Sequence, residues 1–236
     1  KTYDGSALTN HKVTVTGDGF ASGEGASYTV TGSQLDKGSS SNTFAYTLND
    51  NTKADNYTVT TAEGTLTVNA ISAKITVTAN SKTRTYDGSA LTDGGYTYTA
   101  GVLVTGDTLT AIVAGTQTDA GESANTVTSY QVTRGGENIT ANYTFAASVP
   151  GTLTVSRRPV TLTSGSASKT YDGAALTNHD VTVTGDGFAS GEGASFTVTG
   201  SRLDAGSSKN TFTYTLNDNT KADNYTVTTV EGTLTV

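Results

Sequence analysis

Over 236 residues the chain carries 14 Lys and Arg against 21 Asp and Glu, a formal charge of −7, and has no Cys, Met or Trp. An acidic chain without any basic run lacks the electrostatic footprint of a nucleic-acid or anionic-membrane partner. The absence of Cys excludes disulfides, zinc–thiolate sites and thiol nucleophiles.

No apolar stretch nears the ~20 residues of a membrane span, so no membrane insertion is expected. No leader peptide is evident, which reads as a piece cut from a longer secreted protein. Losing Cys and Met also removes the most easily oxidised side chains, which suits an extracellular setting.

The chain begins Lys-Thr-Tyr-Asp-Gly at 1–5, and this phrase returns at 84–88 (with Arg first) and at 169–173. Each copy opens a segment that ends in Gly-Thr-Leu-Thr-Val, at 64–68, 151–155 and 232–236. Self-similarity at a fixed spacing marks a repeat architecture. It divides the chain into module one (1–68), module two (69–155) and module three (156–236). Residues 1–68 and 169–236 align without a gap and differ at eight positions. Module two is more divergent: Val13 and Val15 become Tyr96 and Tyr98, Phe20 becomes Leu103, and Asn56-Tyr57 recurs as Asn142-Tyr143.

Within module one, apolar residues alternate with threonine in chain order: Val13-Thr-Val-Thr, Tyr28-Thr-Val, Phe44-Ala-Tyr-Thr-Leu, Tyr57-Thr-Val and Leu66-Thr-Val. Period-two alternation predicts strands with one buried and one wet face. Threonine, 50 of the 236 residues, suits the wet face because it is β-branched and still bonds water. Asp4-Gly5, Gly17-Asp-Gly, Gly23-Glu-Gly and Asn49-Asp-Asn are turn chemistry. The expected fold is all-β: three tandem small modules, Ig-like β-sandwiches with a β-grasp-like sheet as the alternative. They would form an elongated head-to-tail array on the order of 100 Å long, at ~3.3 Å per strand residue.

Between closer and opener lie two more alternating runs, at 74–78 and 159–163, read as the first strands of modules two and three. That leaves linkers at 69–73 and 156–158, short enough to favour stiff stacking. Module one starts at Lys1, so its corresponding strand is expected to lie ahead of the given sequence, leaving an open sheet edge that is the least protected part of the chain and prone to recruit a neighbour's strand.

Tyr-Asp-Gly reads first as a strand end and turn, with Asp bonding backbone amides and Gly supplying positive φ. Tyr and Asp are also typical glycan contacts, so Tyr3, Asp4, Tyr86, Asp87, Tyr171 and Asp172 are the candidate ligand-binding residues. The corner Gly32-Ser-Gln-Leu-Asp36-Lys-Gly38 recurs at 115–121 and 200–206, as before the penultimate strand of a sandwich. The 49–55 loop has oxygens at calcium-like spacing, but Lys53 interrupts it and calcium is only a secondary expectation. His11 and His179 are equivalent single histidines, which does not make a metal site or a triad. Asn56, Asn142 and Asn224 each head a formal glycosylation sequon. No Asn lies in a closing strand, so a Lys–Asn isopeptide is not expected. No cofactor, metal or catalytic residue is predicted.

In order and spacing, Lys-Thr-Tyr-Asp-Gly-Ser-Ala-Leu-Thr, then Gly-x-Gln-x-Asp-x-Gly-x-x-x-Asn-Thr, then Asn-Tyr-Thr-Val and Gly-Thr-Leu-Thr-Val resemble the YDG/MBG-type repeat domains of bacterial cell-surface adhesins. The resemblance implies a cell-wall-anchored or secreted location and repeats that form adhesin stalks. Some relatives are described as mucus- or host-binding.

The expected function is a structural spacer that projects a binding domain away from the cell. The alternative is a set of modules that bind host glycan or mucin directly. The expected partners are the neighbouring repeats of a monomeric protein. The order of one divergent module between two near-identical ones reads as an excerpt of an array whose duplicating unit is the pair, an order expected to suppress strand exchange between neighbours.

Overall fold

A computed structural model describes all residues from 1 to 236, and it is all-β with several small sheets in a sandwich-like arrangement. The only helical elements are three single 3-10 turns, Ala54–Asn56, Thr140–Asn142 and Ala222–Asn224. They stand at equivalent places and each delivers the Asn-Tyr pair.

The first recurring piece is built on the closing strand. Gly232–Thr235 pairs antiparallel with Ser207–Asn210 after the corner, and parallel with Ala167–Ser168 before the opener. Gly151–Ser156 sits likewise between the start of Gly121–Arg134 and Lys82–Thr85. In module one Gly64–Val68 pairs with Gly38–Asn42, and Thr2 bridges to Asn69. The alternation dictates this: Leu66, Val68, Leu153, Val155 and Leu234 are all buried, while the threonines between them stay wetter.

The corner glycine has no alternative there. At Gly32, Gly115 or Gly200 a Cβ would stand 2.5–2.6 Å from the facing backbone of Asn42, Ala124 or Asn210. The facing asparagine itself ties loops together. Asn125 Nδ2 donates to the Asn80 and Asp93 carbonyls, and Asn210 Nδ2 to those of Gly165 and Asn178. Asn42 has one such bond, to the Asn10 carbonyl.

The second piece is a hairpin, Ala26–Val30 with Phe44–Leu48 and Ala194–Val198 with Phe212–Leu216. The third is built on the run between modules. In module three Arg158–Ser164 lies between Val181–Gly185, antiparallel, and Tyr225–Val230, parallel. Its inward residues Val160, Leu162 and Ser164 are at most 1% exposed. The expected linker at 156–158 therefore shrinks to Arg157, since strands end at Ser156 and begin at Arg158. In module two Lys74–Ile75 pairs parallel with Thr144–Phe145, and Ile75 and Val77 are buried in the same way.

Module one departs from the expected pattern. The alternating runs 13–16 and 57–59 are not strands, although the identical residues in module three are. No run like Arg158–Ser164 lies between them to complete the hydrogen bonds, so alternation alone does not make a ladder.

Contact clustering divides the chain into two compact units. One holds 1–77, 97–112 and 129–148; the other holds 78–96, 113–128 and 149–236. The division cuts through module two, so each unit contains one complete junction between consecutive modules.

Candidate functional site

Each opener folds as a turn. Asp4, Asp87 and Asp172 accept the backbone N–H two residues on at 2.9, 2.9 and 3.0 Å, and Gly5, Gly88 and Gly173 take φ of 78°, 83° and 77°. Lys1, Arg84 and Lys169 pair with the same carboxylates at 2.7, 3.1 and 2.7 Å. The exposed lysine pairs add little stability. They do settle the aspartates as turn residues, and the turn aims the tyrosine.

In the first unit the Tyr3 hydroxyl donates to Asp107 Oδ2 at 3.2 Å, and the Tyr143 hydroxyl donates to the same carboxylate. The Val104 N–H donates to the Tyr143 hydroxyl oxygen at 3.0 Å, and the two rings meet edge to face at 5.9 Å. The Asp107 side chain is fully buried and Arg134 Nε bonds it, so the charge is matched. Arg134 also donates to the Gly5 carbonyl at 2.6 Å and lies 5.7 Å from the Tyr3 ring centre. The φ of 78° demands glycine at Gly5, and the Arg134 guanidinium packs directly over it.

The second unit repeats the pattern with equivalent residues. Tyr86 donates to Glu192 Oε1 at 2.5 Å, Tyr225 to Glu192 Oε2 at 2.7 Å, and the Ala189 N–H to the Tyr225 oxygen at 2.9 Å. The rings again stand edge to face, at 5.6 Å, and Phe188 covers the far side of Tyr225 at 5.1 Å. Arg158 donates to the Gly187 and Tyr86 carbonyls at 2.7 and 3.2 Å. Arg134 comes from the tip of a hairpin and Arg158 from the start of a strand; both approach the preceding opener, but only Arg134 bonds the shared carboxylate, while Arg158 bonds backbone carbonyls.

A second contact flanks each tyrosine pair. Asn142 Nδ2 donates to Asp36 Oδ1 at 2.7 Å while its Oδ1 accepts the Lys37 N–H at 2.6 Å. Asn224 repeats this with Asp119 at 2.9 Å and the Ala120 N–H at 2.7 Å. In both cases the Asn of one module's 3-10 turn grips the corner of the module before it, and Asn142 and Asn224 are essentially inaccessible. Glycosylation at those two sequons would require opening the junction. In the second unit Lys221 also pairs with Asp119 at 2.7 Å.

Electrostatics keep these groups in the form the contacts need. Burial, then the bond to Glu192, pushes the Tyr86 hydroxyl up to about 12. Burial, with Glu192 in support, takes Tyr225 to about 12 as well. Tyr3 and Tyr143 are raised by burial and by Asp107. All four therefore remain protonated donors at neutral pH. Lys221, then Asn224, holds the Asp119 carboxyl below its usual range.

Of the candidate ligand residues, Tyr3 and Tyr86 are 3% and 5% exposed while Tyr171 is 59% exposed. Tyr3 and Tyr86 face the next module, and Tyr171 alone of the three presents an open ring. Asp4, Asp87 and Asp172 are exposed but held by their turns. In the 49–55 loop, Asn51 Nδ2 donates to the Gly23 carbonyl and the Thr52 hydroxyl accepts the Gly25 N–H. No three His, Asp or Glu side chains converge anywhere in the chain.

Sequence reasoning missed the carboxylate at Glu24, Asp107 and Glu192, and the grip of Asn142 and Asn224. The signal was present: an acidic residue holds one aligned position in all three modules, inside what reads as an ordinary turn. The family model of the MBG domain (YGX type) matches residues 75–154. No curated protein and no solved structure matches the chain.

Proposed function

We propose that this chain is a spacer whose modules are locked to their neighbours and carry a binding domain away from the cell; the match of residues 75–154 to the MBG domain (YGX type), a family of surface-associated and typically extracellular repeats, supports it. One observation carries this reading. Wherever two modules meet, the repeated motifs that look most like ligand chemistry, Tyr3 and Tyr86 of the openers and the pairs Asn142-Tyr143 and Asn224-Tyr225, are spent on contacts between consecutive modules. Buried hydrogen-bonded contacts between modules restrict their relative motion in a way that a flexible linker does not.

The test displays a binding domain on a cell through the intact chain, through a Tyr3→Ala/Tyr86→Ala variant, or through a Gly/Ser linker of equal length. Capture of a bulky ligand is expected to fall in the order intact chain, variant, linker. Equal capture by all three would overturn the spacer reading.

A further inference from the structure

The first and last strands of module three lie side by side and run the same way. Residues 158–163 pair parallel with Tyr225–Val230 in six consecutive pairs. Beyond residues 164–166, in the same register, Ala167 and Ser168 pair parallel with Leu234 and Thr235 of the closing strand. The Lys169 N–H extends this second set by donating to the Thr235 carbonyl at 3.0 Å.

Both sets are shielded on one face, where Val160, Leu162, Tyr225 and Leu234 are buried. Between the sets, the buried Ser164 hydroxyl donates to the Asn210 carbonyl at 2.6 Å and accepts the Gly232 N–H at 2.9 Å. That side chain ties the end of the first strand to the start of the closing strand, away from competing water. The same pairing recurs elsewhere. Lys82–Thr85 runs parallel to the closing strand of module two, and Thr2 bridges parallel to Asn69 beside that of module one.

Direction decides how such a ladder breaks. Tension applied at Arg158 and Thr235 acts on opposite ends of parallel strands and slides one along the other. Evenly spaced bonds are then stretched together, and none gives way until several do. The antiparallel pair of Ser207–Asn210 with Gly232–Thr235 is the contrast. Its open end lies at Gly206 and Val236, which exchange both backbone bonds, and pulling there breaks one bond after another. We infer that module three is a force-bearing unit, in which the parallel ladder is a shear clamp that keeps the fold closed under tension along the chain. Tension in the cell requires an attachment at each end, so the force-bearing role rests on the spacer reading, whereas the clamp does not.

The experiment pulls single molecules of the full chain between two cysteine handles, which are unique because the chain has no Cys of its own. Arg157→Cys with Val236→Cys loads the parallel ladder in shear. Asp204→Cys with Val236→Cys loads the antiparallel pair at its open end. Arg157 and Asp204 are exposed, so the two variants should share one urea midpoint. The shear pair is expected to rupture at a force at least about twofold higher, because forced unfolding reads the barrier along the pulled direction rather than the equilibrium stability.

Equal rupture forces in the two directions, or a weaker shear direction, would overturn the proposal. Failure of the spacer reading looks different. Equal capture by the three display formats would strike that reading and leave the rupture forces as they are, while loss of the direction dependence would strike the clamp and leave the order of capture unchanged.

Discussion

Val-Thr-Val-Thr-Gly occurs at 13–17 and again at 181–185, and only the second copy is a strand. The flanking Tyr-Thr-Val-Thr-Thr, at 57–61 and 225–229, behaves the same way. Identical residues in near-identical modules take different structures because Arg158–Ser164 pairs between them in module three, and residues 1–68 contain no corresponding run. Strand propensity is thus a readiness to pair, and the partner decides. The second lesson concerns burial. Val227, packed on Val160 and Leu162, is partly covered, while its equivalent Val59 lines an open groove.

The strongest way to break this contrast is to weaken the central strand. Leu162 is fully buried, so Leu162→Ala should cost about 2–5 kcal/mol in denaturant unfolding. The loss should be accompanied by faster exchange across Val181–Gly185, approaching that at 13–17. Alanine at Val15 should change little by the same measurements.

Alkali should come next. The hydroxyls of Tyr86 and Tyr225 are raised to about 12, from 10.0. A folded-state pKa above the unfolded one gives stability that is complete below pH 10 and is lost as pH rises toward 12. Thermal scans should show the junction of modules two and three weakening in that window. A flat stability profile from pH 9 to 12 would contradict the junction chemistry.

A smaller effect separates the hydroxyl from the ring. Tyr86→Phe keeps the edge-to-face contact but removes one donor to Glu192, and should cost about 1 kcal/mol. Tyr171→Phe should stay within about 0.5 kcal/mol of the parent, since its side chain is mostly in water.

The smallest expected effect sharpens the comparison most. Changing all eight differing positions of module one to those of module three, Lys12→Asp and Tyr28→Phe among them, should leave residues 13–17 unprotected in hydrogen exchange. Protection gained in that variant would place the cause in the eight residues rather than in the missing pairing partner.

Much of this was legible before any coordinates. The repeat, the alternation and the turn residues lead to an all-β chain, because Leu66, Val68, Leu153 and Leu234 fall on the buried phase of their runs. The Asp-Gly turns behaved as local hydrogen-bonding chemistry dictates. The junctions were not legible, for a physical reason. Tyr3 and Asp107 are 104 residues apart, and nothing local marks either as a partner of the other. Arg134 and Arg158 are harder still, since they occupy non-equivalent positions and alignment of the repeats cannot pair them. Alternation also over-reported strands at 13–16 and 57–59, because it records which face would be buried but not whether a neighbour exists.

The junction geometry bears on how such a gene can change. Every module carries both halves of the contact: an opener tyrosine and corner aspartate facing forward, and a carboxylate with an Asn-Tyr pair facing back. Recombination that deletes or duplicates a whole module therefore creates a boundary with all its partners present, whichever modules become adjacent. Only the arginine is a local addition, and it can come from more than one position. Fusing residues 1–68 directly to 156–236 tests this. Mutual loss of alkaline stability on Tyr3→Phe and Tyr225→Phe would register the new contact, and independent unfolding of the two halves would refute it. Copy number could then change without loss of the junction chemistry.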